Sequence, residues 1–360
     1  MTRRRLLLGL ALLGGSSARA ETGAEPGDEE YPLAAWRLLA PKEAGLSEPA
    51  LAQFRSYVGG RGCVVRRGRM VDTWGDPGRR GDVASAAKPW YAHFLFRALE
   101  QQRLPSLDAA VSTWEPRLSD LNAELGHKDR RITWRHLATQ TSGYGVREAP
   151  GTAFDYNDWQ MALFWDTLFL RVYGATLATV DAQVLRSGLT DPLQCEDEPT
   201  FLAFGERDRP GRLAVSPRDF ARFGLLYLRK GRWNGRQLLT RRHAELAIGS
   251  PLPNSVPRTA GQPTEMIPGQ RTIGSRVIPD NQTDHLGSYS HLWWTNGIDR
   301  NGKRHWPGAP TDTFGAFGHG GNEALVVIPG LDLIVSWNES RVGTREMTNE
   351  ALQRLVATVT

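Results

Sequence analysis

The sequence predicts an α+β fold: one antiparallel β-sheet flanked by helices, with a largely helical subdomain. Three observations carry that prediction. Residues 63–75, CVVRRGRMVDTWG, hold two short β-branched runs around Arg67-Gly68, and residues 323–337, EALVVIPGLDLIVSW, hold two apolar runs around Pro329-Gly330. Runs punctuated by turn residues in this way read as hairpins. Between them, from Ser85 to about residue 240, helical periodicity dominates. Strands at both ends with helices between them assemble one sheet from the chain's two ends.

In chain order, the 360 residues open with Arg3-Arg4-Arg5, an apolar run at 6–13, and Ala18-Arg19-Ala20. This pattern predicts an export signal, residues 1–20, cleaved after Ala20; its apolar run is too short to cross a bilayer. The adjacent arginines suit a twin-arginine signal as well as an ordinary secretory one. The expected location is therefore periplasmic or extracellular. Residues 21–35 read as a flexible acidic linker, with five acids in the first eleven positions, and 36–360 as one folded domain.

The signal takes four arginines with it, so the 44 basic residues become 40 against 39 acidic ones. That balance, with no basic cluster elsewhere, argues against a nucleic-acid partner. Beyond the signal no stretch reaches eighteen uninterrupted apolar residues, so no membrane span is expected in the mature chain. Oligomeric state is not written in the sequence, nor is whether Cys63 and Cys195 pair. Neither cysteine belongs to a Cys-x-x-Cys, which argues against structural zinc.

Helix signals are local. Trp90, Phe94, Leu95 and Ala98 recur at helical spacing after Ser85. In SPRDFARFGLLYLRKG, Ser216 is the expected N-cap, Pro217 the first helical residue and Asp219 the partner in a capping box. Phe220, Phe223, Gly224 and Tyr227 share one face, and Gly231 ends the helix. Residues 250–287, rich in Pro, Gly, Thr and Gln, read as a long surface excursion. Met347, Ala351, Leu352, Leu355 and Val356 form an amphipathic closing helix.

The chain has five lysines and 39 arginines, and Lys88 is the one lysine with a serine, Ser85, three residues before it. On a helix this spacing puts two side chains on one face. A desolvated lysine can give up its proton where arginine cannot, so the pair reads either as nucleophile and base or as a helix-starting serine and a solvated lysine. Pro89 deprives the Ser85 carbonyl of its helical partner, which reads either as an irregular helix start or, more simply, as the mark of a first turn. FDYNDW, residues 154–159, offers a phenol at Tyr156 beside Asn157 and Asp158. In FGAFGHGGNEALVVIP, Gly318, Gly320 and Gly321 surround His319 before a strand, where backbone N–H groups can approach an oxyanion. Trp90, Trp159, Trp293 and Trp294 are candidates for an acyl pocket. Core packing claims most tryptophans, and Trp159, next to the tyrosine, has the strongest case.

Ser-x-x-Lys, a tyrosine loop about 70 residues on, then His-Gly-Gly before a late strand is the order found in the penicillin-recognising serine hydrolases. The chain resembles that family of class C β-lactamases, D-alanyl-D-alanine carboxypeptidases and related esterases. ITWRHLATQTSGY (132–144) and GRLAVSPRDFARFGLLYLRKGRWNGRQLL (211–239) are similar to its helix-and-loop segments. The likeness spans about residues 45–358. The resemblance implies a β-lactamase/transpeptidase-like fold with Ser85 acylated and Lys88 and Tyr156 sharing the general base and acid work. It implies an oxyanion hole from the backbone N–H groups of Ser85 and Asn322. Asn157, Asp158, Trp159, His319, Gly320 and Gly321 would contact substrate. No metal or cofactor is implied, and the expected partner is a small molecule or short peptide with an ester or amide bond.

Two residues depart from the family pattern. Asp158 stands where the family usually carries asparagine; ionised, it only accepts hydrogen bonds, and beside Lys88 it favours the charged lysine. His319 stands where the lactamases carry lysine, so a substrate carboxylate would be held less firmly. Both favour an exported esterase or amidase. The alternatives are a D-alanyl-D-alanine carboxypeptidase or weak class C-type β-lactamase, and a non-catalytic peptidoglycan-binding protein on the same scaffold. The lack of Gly-x-Ser-x-Gly argues against an α/β-hydrolase, and a metallohydrolase's His-Glu-x-x-His is missing too.

Overall fold

A computed structural model describes residues 29–205 and 209–360. The expected export signal and most of the acidic linker lie outside the described residues. The strands of the main sheet are β1 (Arg61–Arg66), β2 (Arg69–Trp74), β3 (Trp294–Thr295), β4 (Phe314–Gly318), β5 (Glu323–Ile328) and β6 (Leu333–Asn338). Their spatial order is β2-β1-β6-β5-β4-β3, every neighbouring pair antiparallel. The two ends of the chain meet where β1 pairs with β6, Val64 opposite Val335.

Both hairpins form where the turn residues place them. Arg67 and Gly68 adopt φ 54° and 74°. A two-residue turn with both φ positive matches the twist of the strands it joins. The β5–β6 turn runs through Pro329–Leu331 and closes on Asp332 at φ 45°.

The helices are α1 (Glu48–Val58), α2 (Lys88–Glu100), α3 (Trp134–Ala138), α4 (Asp158–Trp165), α5 (Pro217–Leu228), α6 (Arg241–Gly249) and α7 (Arg345–Val356). They cover both faces of the sheet. Val326, Val335 and Trp337 pack with Leu51 and Phe54 of α1 and Leu352 and Leu355 of α7. Leu325, Val327 and Ile334 belong to the larger core with Trp90, Phe220 and Phe223. Burial of alternate residues on opposite covered faces explains why β5 and β6 read as continuous apolar runs. Gly224 lets α5 lie close to the sheet: a Cβ there would stand 2.8 Å from Leu325 Cδ1.

The cap of α5 differs from expectation. The Ser216 hydroxyl accepts the Asp219 N–H at 3.2 Å, but the Asp219 carboxylate does not reach back. It accepts the N–H groups of Glu196 and Asp197 at 2.8 and 2.7 Å, anchoring a loop to the helix. The helix ends at Leu228, and Gly231, at φ 80°, turns the chain beyond it. Residues 250–293 contain no helix or strand, and much of 251–287 is exposed or half-buried as a surface excursion would be, but the segment is pinned to the molecule at buried points. Ile267, Ile273 and His285 are buried, and the segment's backbone N–H groups are bound by the tyrosine loop and its surroundings: Gln282 N–H to Tyr156 O at 3.1 Å, Ile267 N–H to Tyr144 Oη at 3.0 Å. Both cysteines are free thiols whose pKa burial pushes up. Among the described residues no helix is long and apolar enough to cross a membrane.

Candidate active site

Ser85 sits in a single 3₁₀ turn, Ala84–Ala87, that leads into α2, and Pro89 stands in the first turn of that helix. Ala84 holds φ 49°. A residue with a Cβ pays about 1–2 kcal/mol for that conformation. Packing against β4 holds the turn in place. At Gly318 a Cβ would stand 2.2 Å from Val83 O and 3.2 Å from Ala84 Cβ, so only glycine lets the strand end touch the serine's turn.

Lys88 is almost fully buried. Its Nζ lies 2.7 Å from Ser85 Oγ, 3.4 Å from Asp158 Oδ1 and 4.4 Å from the centre of the Tyr156 ring. Burial opposes charge on Lys88, but Tyr156 and Asp158 outweigh it and its pKa is raised. Burial likewise opposes charge on Asp158. The Lys88 ammonium, the Ser275 N–H (2.9 Å) and Gln282 Nε2 (3.0 Å) overcome it and hold the carboxyl below its usual range. The result is a buried ammonium–carboxylate pair directly behind the serine hydroxyl. Gly274 makes room for it: a Cβ would lie 2.1 Å from Asp158 Oδ2.

The site opens into a cleft of about 930 Å³ lined by Ser85, Lys88, Tyr156, Asp158, His319 and Gly320 among others. His319, at φ 44°, places Nδ1 2.9 Å from Glu323 Oε2, and that hydrogen bond raises its pKa. Four expected contacts fall elsewhere. Asn157 is the N-cap of α4: its Oδ1 accepts the Gln160 N–H at 2.7 Å and its amide binds Asp155, so it faces the protein. Trp159 donates to Val277 O at 3.1 Å outside the cleft lining, whereas Trp294 lines it. Gly321 is buried beneath the surface, where a Cβ would meet Thr348 Oγ1 at 2.6 Å. Asn322 lies past the turn at His319–Gly321, its amide bonded to Ser340 O, and does not line the cleft. Trp90 and Trp293 are core residues packed on Phe223 at 4.8 and 5.7 Å.

The residues that the sequence reading missed come from the segment taken as a surface excursion: Gly274, Ser275 and Gln282 support Asp158 from the far side. A signal was present. An ordered stretch of this length without helix or strand is more often functional than filler. Among the described residues no group of three His, Cys, Asp or Glu side chains gathers as a metal site.

A two-face-covered antiparallel sheet, with serine, lysine and tyrosine meeting in a cleft at its edge, is the architecture of the β-lactamase-fold serine hydrolases. The chain belongs to the beta-lactamase family, whose model matches residues 49–358. Among solved structures it is similar to one from Bacillus anthracis described as a 6-aminohexanoate-dimer hydrolase (16% identity, TM-score 0.60, covering 91% of this chain and 87% of that one). It is also similar to a penicillin-binding protein homologue from Caulobacter crescentus (14%, TM-score 0.58, 87% and 99%). A third is the LovD9 mutant of simvastatin synthase from Aspergillus terreus (15%, TM-score 0.56, 88% and 97%). At these identities the likeness shows the fold alone. No curated protein matches the sequence.

Proposed function

We propose that the chain is an exported serine hydrolase that cleaves an ester or amide through an acyl-enzyme on Ser85. The observation that carries this reading is the 2.7 Å contact between Lys88 Nζ and Ser85 Oγ at the floor of the cleft, with Tyr156 against the same ammonium. With Lys88 held charged by Asp158, the lysine steadies the serine oxygen and Tyr156 serves as the base that takes its proton. Ser85 Oγ bonds to the substrate carbonyl carbon, and the carbonyl π pair moves to oxygen. Collapse of that intermediate breaks the bond to the leaving group, which leaves with the proton from Tyr156. Water repeats the sequence and releases the acid. For the oxyanion, the Ser85 N–H is joined by the His319 N–H in place of that of Asn322, because His319 follows the glycine that touches Val83 and lines the cleft.

A D-alanyl-D-alanine carboxypeptidase is the second reading, favoured by one observation: Arg209, Arg212, Arg276 and Arg345 line the cleft and supply cations that His319 alone does not. Activity-based labelling separates the two. A fluorophosphonate probe should label wild type and not Ser85→Ala, with fluorescent penicillin leaving both dark. Penicillin labelling at Ser85 would move the assignment to the peptidase, and a protein dark to both probes would end the hydrolase reading.

A further inference from the structure

One wall of the cleft is backed by a continuous row of rings. The Tyr156 ring lies 6.1 Å from Trp294, Trp294 stacks on His305 at 5.3 Å and 11°, His305 meets Trp306 at 4.7 Å, and Trp306 meets Phe317 at 5.1 Å. All five residues line the cleft. The row begins over Lys88 and ends one residue before Gly318, the strand end that abuts the serine's turn. It therefore runs alongside the reacting hydroxyl. Trp90, Trp293 and, within the row itself, Trp306 are fully enclosed, whereas Trp294 and Phe317 keep part of their surface open.

We propose that this wall selects the substrate: the cleft takes esters or amides bearing a flat aryl group, seated on Trp294 and Phe317 while Ser85 meets the carbonyl. The inference rests on the hydrolase reading for its chemistry, but its recognition step is separable from it. Aromatic rings attract one another in offset and edge-on arrangements at about 4.5–7 Å, the spacing already present along the wall. Trp294 is held ready, edge-on to Tyr289 at 4.9 Å, and the Tyr289 hydroxyl is itself fixed by Gln140 Nε2 at 2.7 Å. A rigid platform loses little freedom when a ring settles on it. The wall is also uncharged, because burial drives His305 down to about 3. Two of the cleft's guanidiniums already have carboxylate partners, Arg212 with Asp82 at 2.6 Å and Arg345 with Glu346 at 3.3 Å, so neither demands an anionic substrate.

Binding to Ser85→Ala protein isolates recognition from turnover. Titration calorimetry with ethyl phenylacetate and benzyl acetate, each against its cyclohexyl counterpart, should show one aryl ester binding about 5- to 10-fold tighter. The ratio should fall to about 1 when Trp294→Ala is added and persist with Trp294→Phe, which keeps a ring. Wild-type kcat/KM should follow the same order. Equal affinity for aryl and cyclohexyl esters, an aryl preference untouched by Trp294→Ala, or tighter binding of a carboxylate-bearing analogue would overturn the proposal. Aryl-selective binding without any turnover by wild type would support it while defeating the hydrolase reading.

Discussion

Position 158 carries an acid 3.4 Å from Lys88 Nζ, and that carboxylate sets the electrostatics behind Ser85. Its pKa is lowered and that of Lys88 raised, so the pair's support of the fold is complete between the two groups' ordinary values. It is lost as pH falls through the depressed Asp158 value or climbs through the elevated Lys88 value. Asp158→Asn removes the charge that holds the ammonium, so the basic limb of kcat/KM against pH, where Lys88 gives up its proton, should move down by about 1 unit; an unmoved limb would separate Asp158 from the proton economy of the site. Lys88→Ala should cut kcat/KM by about 10²- to 10³-fold, the range of a lost electrostatic stabiliser, measured with any ester that wild type turns over. Asp158 was legible in the sequence because its effect on Lys88 follows from the motif. Ser275 and Gln282 were not, because they reach Asp158 from 117 and 124 residues away and carry no spacing signal of their own.

A contact between strand and turn presents Ser85 to the cleft. The end of β4 and the turn before α2 touch at Gly318 and Val83, and no side chain fits between them. Gly318→Ala should therefore push the strand from the turn, costing about 1–3 kcal/mol in denaturant unfolding and lowering acylation of Ser85 with it. Unchanged stability and activity would show that this contact does not position the nucleophile. The hairpins were legible because their turns depend on adjacent residues alone. Asn322, expected as an oxyanion donor, does not line the cleft, and counting along His-Gly-Gly does not reveal that the chain reverses there. His319, Gly320 and Gly321 adopt φ 44°, 74° and 125°, and Asn322 emerges beyond the cleft. The same holds for Asp219: its capping-box spacing is right, but a loop more than twenty residues away supplies stronger N–H partners.

Across the whole molecule, the sheet built from both chain ends forms the base and the segments between them close the site. That architecture was legible because apolar runs at the two ends bounded a helical middle. The path of residues 250–293 was not, since a chain without periodicity leaves only its contacts to define it. Those contacts have a thermodynamic signature. Burial raises Asp155, beneath the tyrosine loop, to about 6, with Asp280 adding to the effect. A raised carboxyl supports the fold fully while protonated and loses that support as pH rises through its folded pKa. Asp155→Asn should therefore lose less stability than wild type between about pH 4 and 7, a difference on the order of 2 kcal/mol. Thermal unfolding of the two proteins across that range reads it, and parallel curves would contradict it.

Intact-mass spectrometry after exposure to a panel of aryl and alkyl esters, amides and penicillins tests the central claim most directly. Wild type should gain one acyl mass from an aryl ester or amide, mapped to Ser85, and Ser85→Ala should gain none. No adduct on wild type, or the same adduct on both proteins, would contradict it.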